Sequence, residues 1–141
     1  MTYQEWDFIA DTYIPLLGVY FVISVVKISR NRGWINVKQS IVGIIVSIGF
    51  IYGLMWLDDT MNIWPRFGLD YSTHTALALV FMVYFSRQST TKFILATSSM
   101  LLYCLLMVYQ QYHSIMDILT TSIMTLPFIY LAQLKTLRTK M

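Results

Sequence analysis

The sequence predicts an all-α integral membrane protein, a bundle of about five transmembrane helices with the N-terminus out and the C-terminus in. Three observations carry that expectation. The 141 residues are 57% apolar and only 12% charged, against about 45–50% and about 25% in a soluble domain, and the mean hydropathy of +0.59 agrees. The apolar residues gather in runs close to the roughly 20 residues that cross a hydrocarbon core as a helix. The two signs of charge fall on opposite sides once those runs are threaded back and forth. The composition excludes a disordered chain, a coiled coil and an ordinary nucleic-acid binder, and the length suits one transmembrane domain over residues 1–141.

The first span is expected over about residues 8–28, which hold IPLLGVYFVISVV, and the second over about 37–57, which hold SIVGIIVSIGFIYGLMWL. The third, about 71–86, is the shortest. The fourth covers about 93–110 and the fifth about 114–134. Helices are expected rather than strands because the runs are long and no two-residue alternation is sustained. Gly49 and Gly53 form a small-xxx-small pair suited to close helix approach, in this chain or in a homo- or hetero-oligomer. Pro127 is expected to bend the fifth span. Trp6, Trp56 and Trp64 fall near one boundary and Trp34 near the other, as an aromatic belt would. The one cysteine, Cys104, excludes a disulfide framework and reads as a small buried hydrophobe. No cleaved signal peptide is expected, since no basic n-region leads the first apolar run.

Five spans place Lys27, Arg30, Arg32, Lys38, Arg87, Lys92, Lys135, Arg138 and Lys140 on one side, nine of the ten basic residues. The positive-inside rule makes that side cytoplasmic. Glu5, Asp7, Asp11, Asp58, Asp59, Asp70 and Asp117 take the other side, where Arg66 is the only basic residue. The protein is thus expected to be multi-pass, in a bacterial inner membrane or another cell membrane.

Both histidines fall near the outer boundary: His74 opens the third span, and His113 closes the turn between the fourth and fifth. Asp117 follows His113 by one helical turn, so the two can share a face, and it lies about one turn inside the fifth span. A carboxylate there is costly unless paired or solvated, and is a candidate for function. A carboxylate beside a histidine fixes its tautomer and stabilises the imidazolium. A second histidine facing the first could donate a proton to a leaving group. Two histidines and one acid therefore suit phosphoryl transfer through a phosphohistidine intermediate.

The stretch Asp70-Tyr71-Ser72-Thr73-His74-Thr75-Ala76 resembles the second signature of the type-2 phosphatidic acid phosphatase superfamily, and most of all the D-Y-x-x-S-G-H-T form of sphingomyelin synthases. The stretch Tyr112-His113-Ser114-Ile115-Met116-Asp117-Ile118 resembles the third signature, H-x-x-x-D. One transmembrane hairpin separates the two in the superfamily, as the third and fourth spans do here. The resemblance covers about half of the chain. It implies that His113 is the nucleophile, that Asp117 orients it, and that His74 is general acid and then base. It further implies that Ser72 and the amides near Thr73 bind phosphate oxygens. The superfamily's K-x6-R-P signature has no counterpart, and Met107 or Gln111 stands where an arginine precedes the third signature. Arg66, beside Pro65, is the one cation left for phosphate, with Tyr71, Tyr109, Gln110, Gln111 and Tyr112 as further donors.

The expected function is a membrane lipid phosphatase or phosphotransferase acting on a phosphate-bearing headgroup at the extracytoplasmic face, without cofactor. No metal is expected: His74, His113, Asp117 and Asp70 are legitimate ligand types, but no recognised ligand spacing is present. The expected partners are the bilayer and a lipid substrate. The competing reading is a superfamily member of weak or no activity that binds a lipid or a partner protein. A channel or transporter is disfavoured by the lack of an inverted repeat.

Overall fold

The computed structural model describes residues 2–137, with side chains to residue 134. Five helices follow one another: α1 (Tyr3–Arg32), α2 (Trp34–Met61), α3 (Thr73–Ser86), α4 (Thr90–Tyr109) and α5 (Ile115–Leu137), with a 3-10 turn at Pro65–Phe67 before α3. No strand occurs among the described residues. Four helices, α1, α2, α4 and α5, are long and apolar enough to cross a membrane. The side chain of Lys135, and Arg138 and Lys140, lie outside the described residues.

The helices extend past the apolar runs that announce them. α1 and α2 meet at a single residue, Gly33, rather than across a loop. Its φ of 81° lies in the region that favours glycine, so the chain reverses there without side-chain strain. Arg30 and Arg32 occupy the last turn of α1, where cations are favoured by the helix dipole. Polar ends of this kind are helical yet carry no apolar signal.

α3 is the axis of the bundle. Nine of its 14 residues are buried, and it packs against all four other helices. The α1 side of this core is aromatic: Tyr13 stacks on Tyr103 at 4.2 Å, and Phe21 meets Tyr84 edge-on at 4.9 Å. The α2–α5 side carries a row of small and β-branched residues, with Ser47, Ile51, Thr121, Thr125 and Ile129 all fully buried, beside a stacked Phe50–Phe128 pair at 3.7 Å. Ser47 and Thr125 donate to the carbonyls of Gly43 and Thr121 one turn back, which leaves smooth surfaces for close approach. Gly49 and Gly53 lie outside this seam, with nothing within 4 Å of where their Cβ atoms would be. The close contact expected of them is made within the chain by the Ser47 face. α5 runs unbroken through Pro127. α4 and α5 flank α3 without packing tightly on each other, and an apolar groove of about 540 Å³ opens between them, walled by Leu101, Leu105, Ile115 and Leu119.

The connection between α2 and α3 folds over one end of the bundle. Asp58 accepts the amide of Trp64 at 2.8 Å, and Asn62, in the left-handed region at φ 51°, ends α2. Trp64 turns inward and is 4% exposed, where a residue of the aromatic belt was expected. Its indole N–H donates to Thr120 at 3.1 Å, and its ring meets Tyr71 at 4.9 Å. A buried indole with a satisfied N–H is worth more to the loop than one left at the interface.

Candidate active site

Two separate stretches of chain build the site, and local capping places each. α4 ends in a Schellman-type reversal: Gln111 N–H bonds the Val108 carbonyl and Tyr112 N–H the Met107 carbonyl. Gln111 holds the left-handed conformation, φ 59°, that this ending requires. The chain then turns through His113 into α5. Ser114 Oγ accepts the Asp117 amide at 3.1 Å while Asp117 Oδ2 accepts the Ser114 amide at 2.7 Å. This reciprocal pair is a capping box. The second stretch enters α3 at Ser72, whose hydroxyl accepts the Thr75 amide at 3.3 Å and whose own amide donates to Thr121 at 3.1 Å.

Asp117 joins the two stretches. Its second oxygen, Oδ1, accepts the backbone amide of Asp70 at 2.8 Å. One buried carboxylate thereby fixes both the segment ending at His113 and the segment leading to His74. The rings of the two histidines lie 6.5 Å apart between centroids. His113 Nδ1 stands 3.3 Å from Asp70 Oδ2, an ion-pair distance without hydrogen-bond alignment, so Nδ1 has no hydrogen-bond partner. Both oxygens of Asp117 are committed to backbone amides, so the carboxylate beside the imidazole is that of Asp70. Asp117 acts on His113 through the backbone and through its field.

The histidines line a cavity of about 140 Å³ together with Ala10, Asp11, Tyr103, Met107 and Tyr112. At about 30 Å³ for each water in the liquid, it has room for about four. The Tyr103 hydroxyl is buried without a hydrogen-bond partner. Burial pulls the His113 pKa below its ordinary 6.5; Asp70 and then Asp117 oppose that shift, and His74 adds to it. His113 is therefore a neutral imidazole near pH 7, and with Nδ1 facing Asp70 its free nitrogen is Nε2.

The remaining sequence-predicted residues divide by geometry. Tyr112 lines the cavity. Ser72 is fully buried, and its hydroxyl pairs with Thr75 at 2.7 Å. The Thr73 hydroxyl donates to Met55 sulfur at 3.4 Å. Tyr71 is buried and donates to the Ile51 carbonyl at 3.2 Å. These three groups support the fold around the site rather than face the cavity. Arg66 is exposed in the 3-10 turn, Gln111 is exposed at the chain reversal, and neither lines the cavity. Sequence reasoning passed over Asp11 and Tyr103. Asp11 lies inside the first expected span, so the rule that singled out Asp117 applies to it equally. Tyr103 gave no signal, because a tyrosine in an apolar run reads as core.

Among the described residues no cluster of three or more metal-ligating side chains forms. Comparison with family models, with curated proteins and with solved structures returned no match.

Proposed function

We propose that the chain is a membrane lipid phosphatase or phosphotransferase that works through a phosphohistidine on His113, at the extracytoplasmic face. The observation that supports this best is the approach of His74 and His113, 39 positions apart in the sequence, to 6.5 Å around one cavity. In this reading His113 Nε2 attacks phosphorus, the bond to the alcohol oxygen breaks, and His74 gives that oxygen a proton. Asp70 stabilises the positive charge left on the His113 ring. Water or an acceptor alcohol then gives its proton to His74 and attacks the same phosphorus, which breaks the N–P bond and frees His113.

The charge of the cavity narrows the substrate. Asp11 lines it, Asp70 stands beside His113, and no lysine or arginine is among the lining residues. Clamping cations normally supply much of the stabilisation in phosphoryl transfer. Without them a singly charged phosphodiester headgroup fits better than a doubly charged monoester. That same absence favours the second reading, a catalytically silent lipid- or partner-binding subunit, whose exposed Gly49 and Gly53 would offer a helix contact for an oligomer.

Release of headgroup or phosphate from a panel of phosphodiester and monoester lipids by purified protein separates the two, measured with and without a chelator. Turnover that survives chelation, is blocked by vanadate, and is lost in His113→Ala supports the first. His74→Ala is expected to slow turnover by about 10²–10⁴-fold. Unchanged rates in both variants would end the phosphohistidine reading, and no turnover with a co-purifying partner would favour the second.

A further inference from the structure

At the end of the bundle opposite the histidine pair, α1 and α4 enclose a second cavity for which the proposed reaction has no use. Its volume is about 350 Å³, and its wall carries Lys27 and Arg32 of α1, Lys92 of α4, and Gln88 and Ser89 between α3 and α4. Three cations line it and no carboxylate does. Lys92 Nζ donates to Gln88 Oε1, a neutral partner, so its charge is not cancelled. Gln88 also donates to Ser24 Oγ at 3.2 Å, and Ser24 meets the buried Tyr84 hydroxyl at 3.3 Å. This polar chain gives the basic cavity a fixed floor.

The basic cavity does not end there. A mainly apolar trough of about 300 Å³ continues from it along α1, α3 and α4, walled by Tyr13, Leu17, Met82, Phe85 and Leu95. Tyr20 and Lys92 belong to both volumes. The trough is closed toward the histidine end, where the Tyr13 hydroxyl meets Ser99 at 3.0 Å and the Tyr13 ring stacks on Tyr103. A cationic head compartment joined to an apolar tail compartment matches the two halves of one amphiphile. Basic recesses between membrane helices attract anionic headgroups, and the mainly apolar wall of the trough suits an acyl chain.

We propose that this is a binding site for an anionic phospholipid, with the phosphate among Lys27, Arg32 and Lys92 and one acyl chain in the trough. It is distinct from the histidine cavity and does not depend on the activity proposed for it. The lipid would act as a wedge between α1 and α4, which otherwise meet through aromatic pairs and the Tyr13–Ser99 hydrogen bond.

Native mass spectrometry of the full chain in an uncharged detergent tests it, with phosphatidylglycerol and phosphatidylcholine of matched chains offered together. The expected result is selective retention of phosphatidylglycerol. Lys27→Gln and Lys92→Gln should each weaken it about fivefold, and together about twenty-five-fold. Lys38→Gln, at the same end of the bundle but outside the cavity, and His113→Ala should leave it unchanged. Leu95→Trp, which fills the trough and keeps every cation, should reduce retention as strongly as the lysine pair. Equal retention of the two lipids would overturn the proposal. So would equal loss in Lys38→Gln, which signals a diffuse surface field, or loss in His113→Ala, which places the lipid at the other site. Full retention in Leu95→Trp, or a thermal shift reproduced by inorganic phosphate alone, would show an anion site without a lipid chain and would also overturn it.

Discussion

Asp117 accepts hydrogen bonds from two backbone amides that belong to different motifs, so it acts as a positioning residue for both histidines. Replacing it with alanine would remove two part-buried, charge-assisted bonds, a loss of at most about 3–6 kcal/mol. Thermal unfolding of Asp117→Ala in detergent should show that loss, and Asp117→Asn, which keeps one acceptor oxygen, should show about half. His113 sets the response to acid. Burial lowers its pKa from 6.5, so the unfolded chain binds a proton that the folded chain refuses. Stability is therefore full above about pH 6.5 and declines as pH falls below it toward the lowered pKa. A Tm-against-pH profile should show this slope, and His113→Ala should flatten it. Asp70 opposes the shift, so Asp70→Asn should move the acid limb of turnover to lower pH. An unmoved limb would remove Asp70 from the site. The histidine pair was legible in the sequence because histidines are rare in it and the two motifs bracket one hairpin. The Asp70 contact was not, because it depends on where a capping box elsewhere pulls the chain.

Single residues decide how the helices end. Gln111 takes a left-handed conformation that costs a non-glycine residue roughly 1 kcal/mol. Gln111→Gly should therefore raise stability by up to about that amount, with the His74–His113 geometry kept; a lower Tm would mean that the Gln111 side chain contributes more than its backbone costs. The five helices were readable from apolar runs alone. Their ends were not, since Tyr3–Phe8 and Lys27–Arg32 are helical but polar. Gly33 as the whole of the first connection gives no signal beyond being a glycine among basic residues. The inward turn of Trp64 depends on Thr120, 56 residues away, and no local pattern contains that pairing.

Across the whole molecule, polarity is divided between two ends: an acidic end with the histidine cavity, and a basic end with the amphiphile-shaped recess. Between them runs α3, 14 residues long, which at 1.5 Å per residue spans about 21 Å, while a hydrocarbon slab is about 30 Å thick. The axis of the bundle is therefore shorter than the membrane it would cross. Gln88 and Lys92, just after α3, tie one end to the basic recess, so the shortfall lies at the other, and His74 sits on the second residue of α3. On the proposed function, a headgroup would then descend to His74 or the leaflet would dimple. Turnover should accordingly rise in vesicles of short-chain lipids and fall in those of long-chain lipids, making membrane thickness itself a throttle on the chemistry.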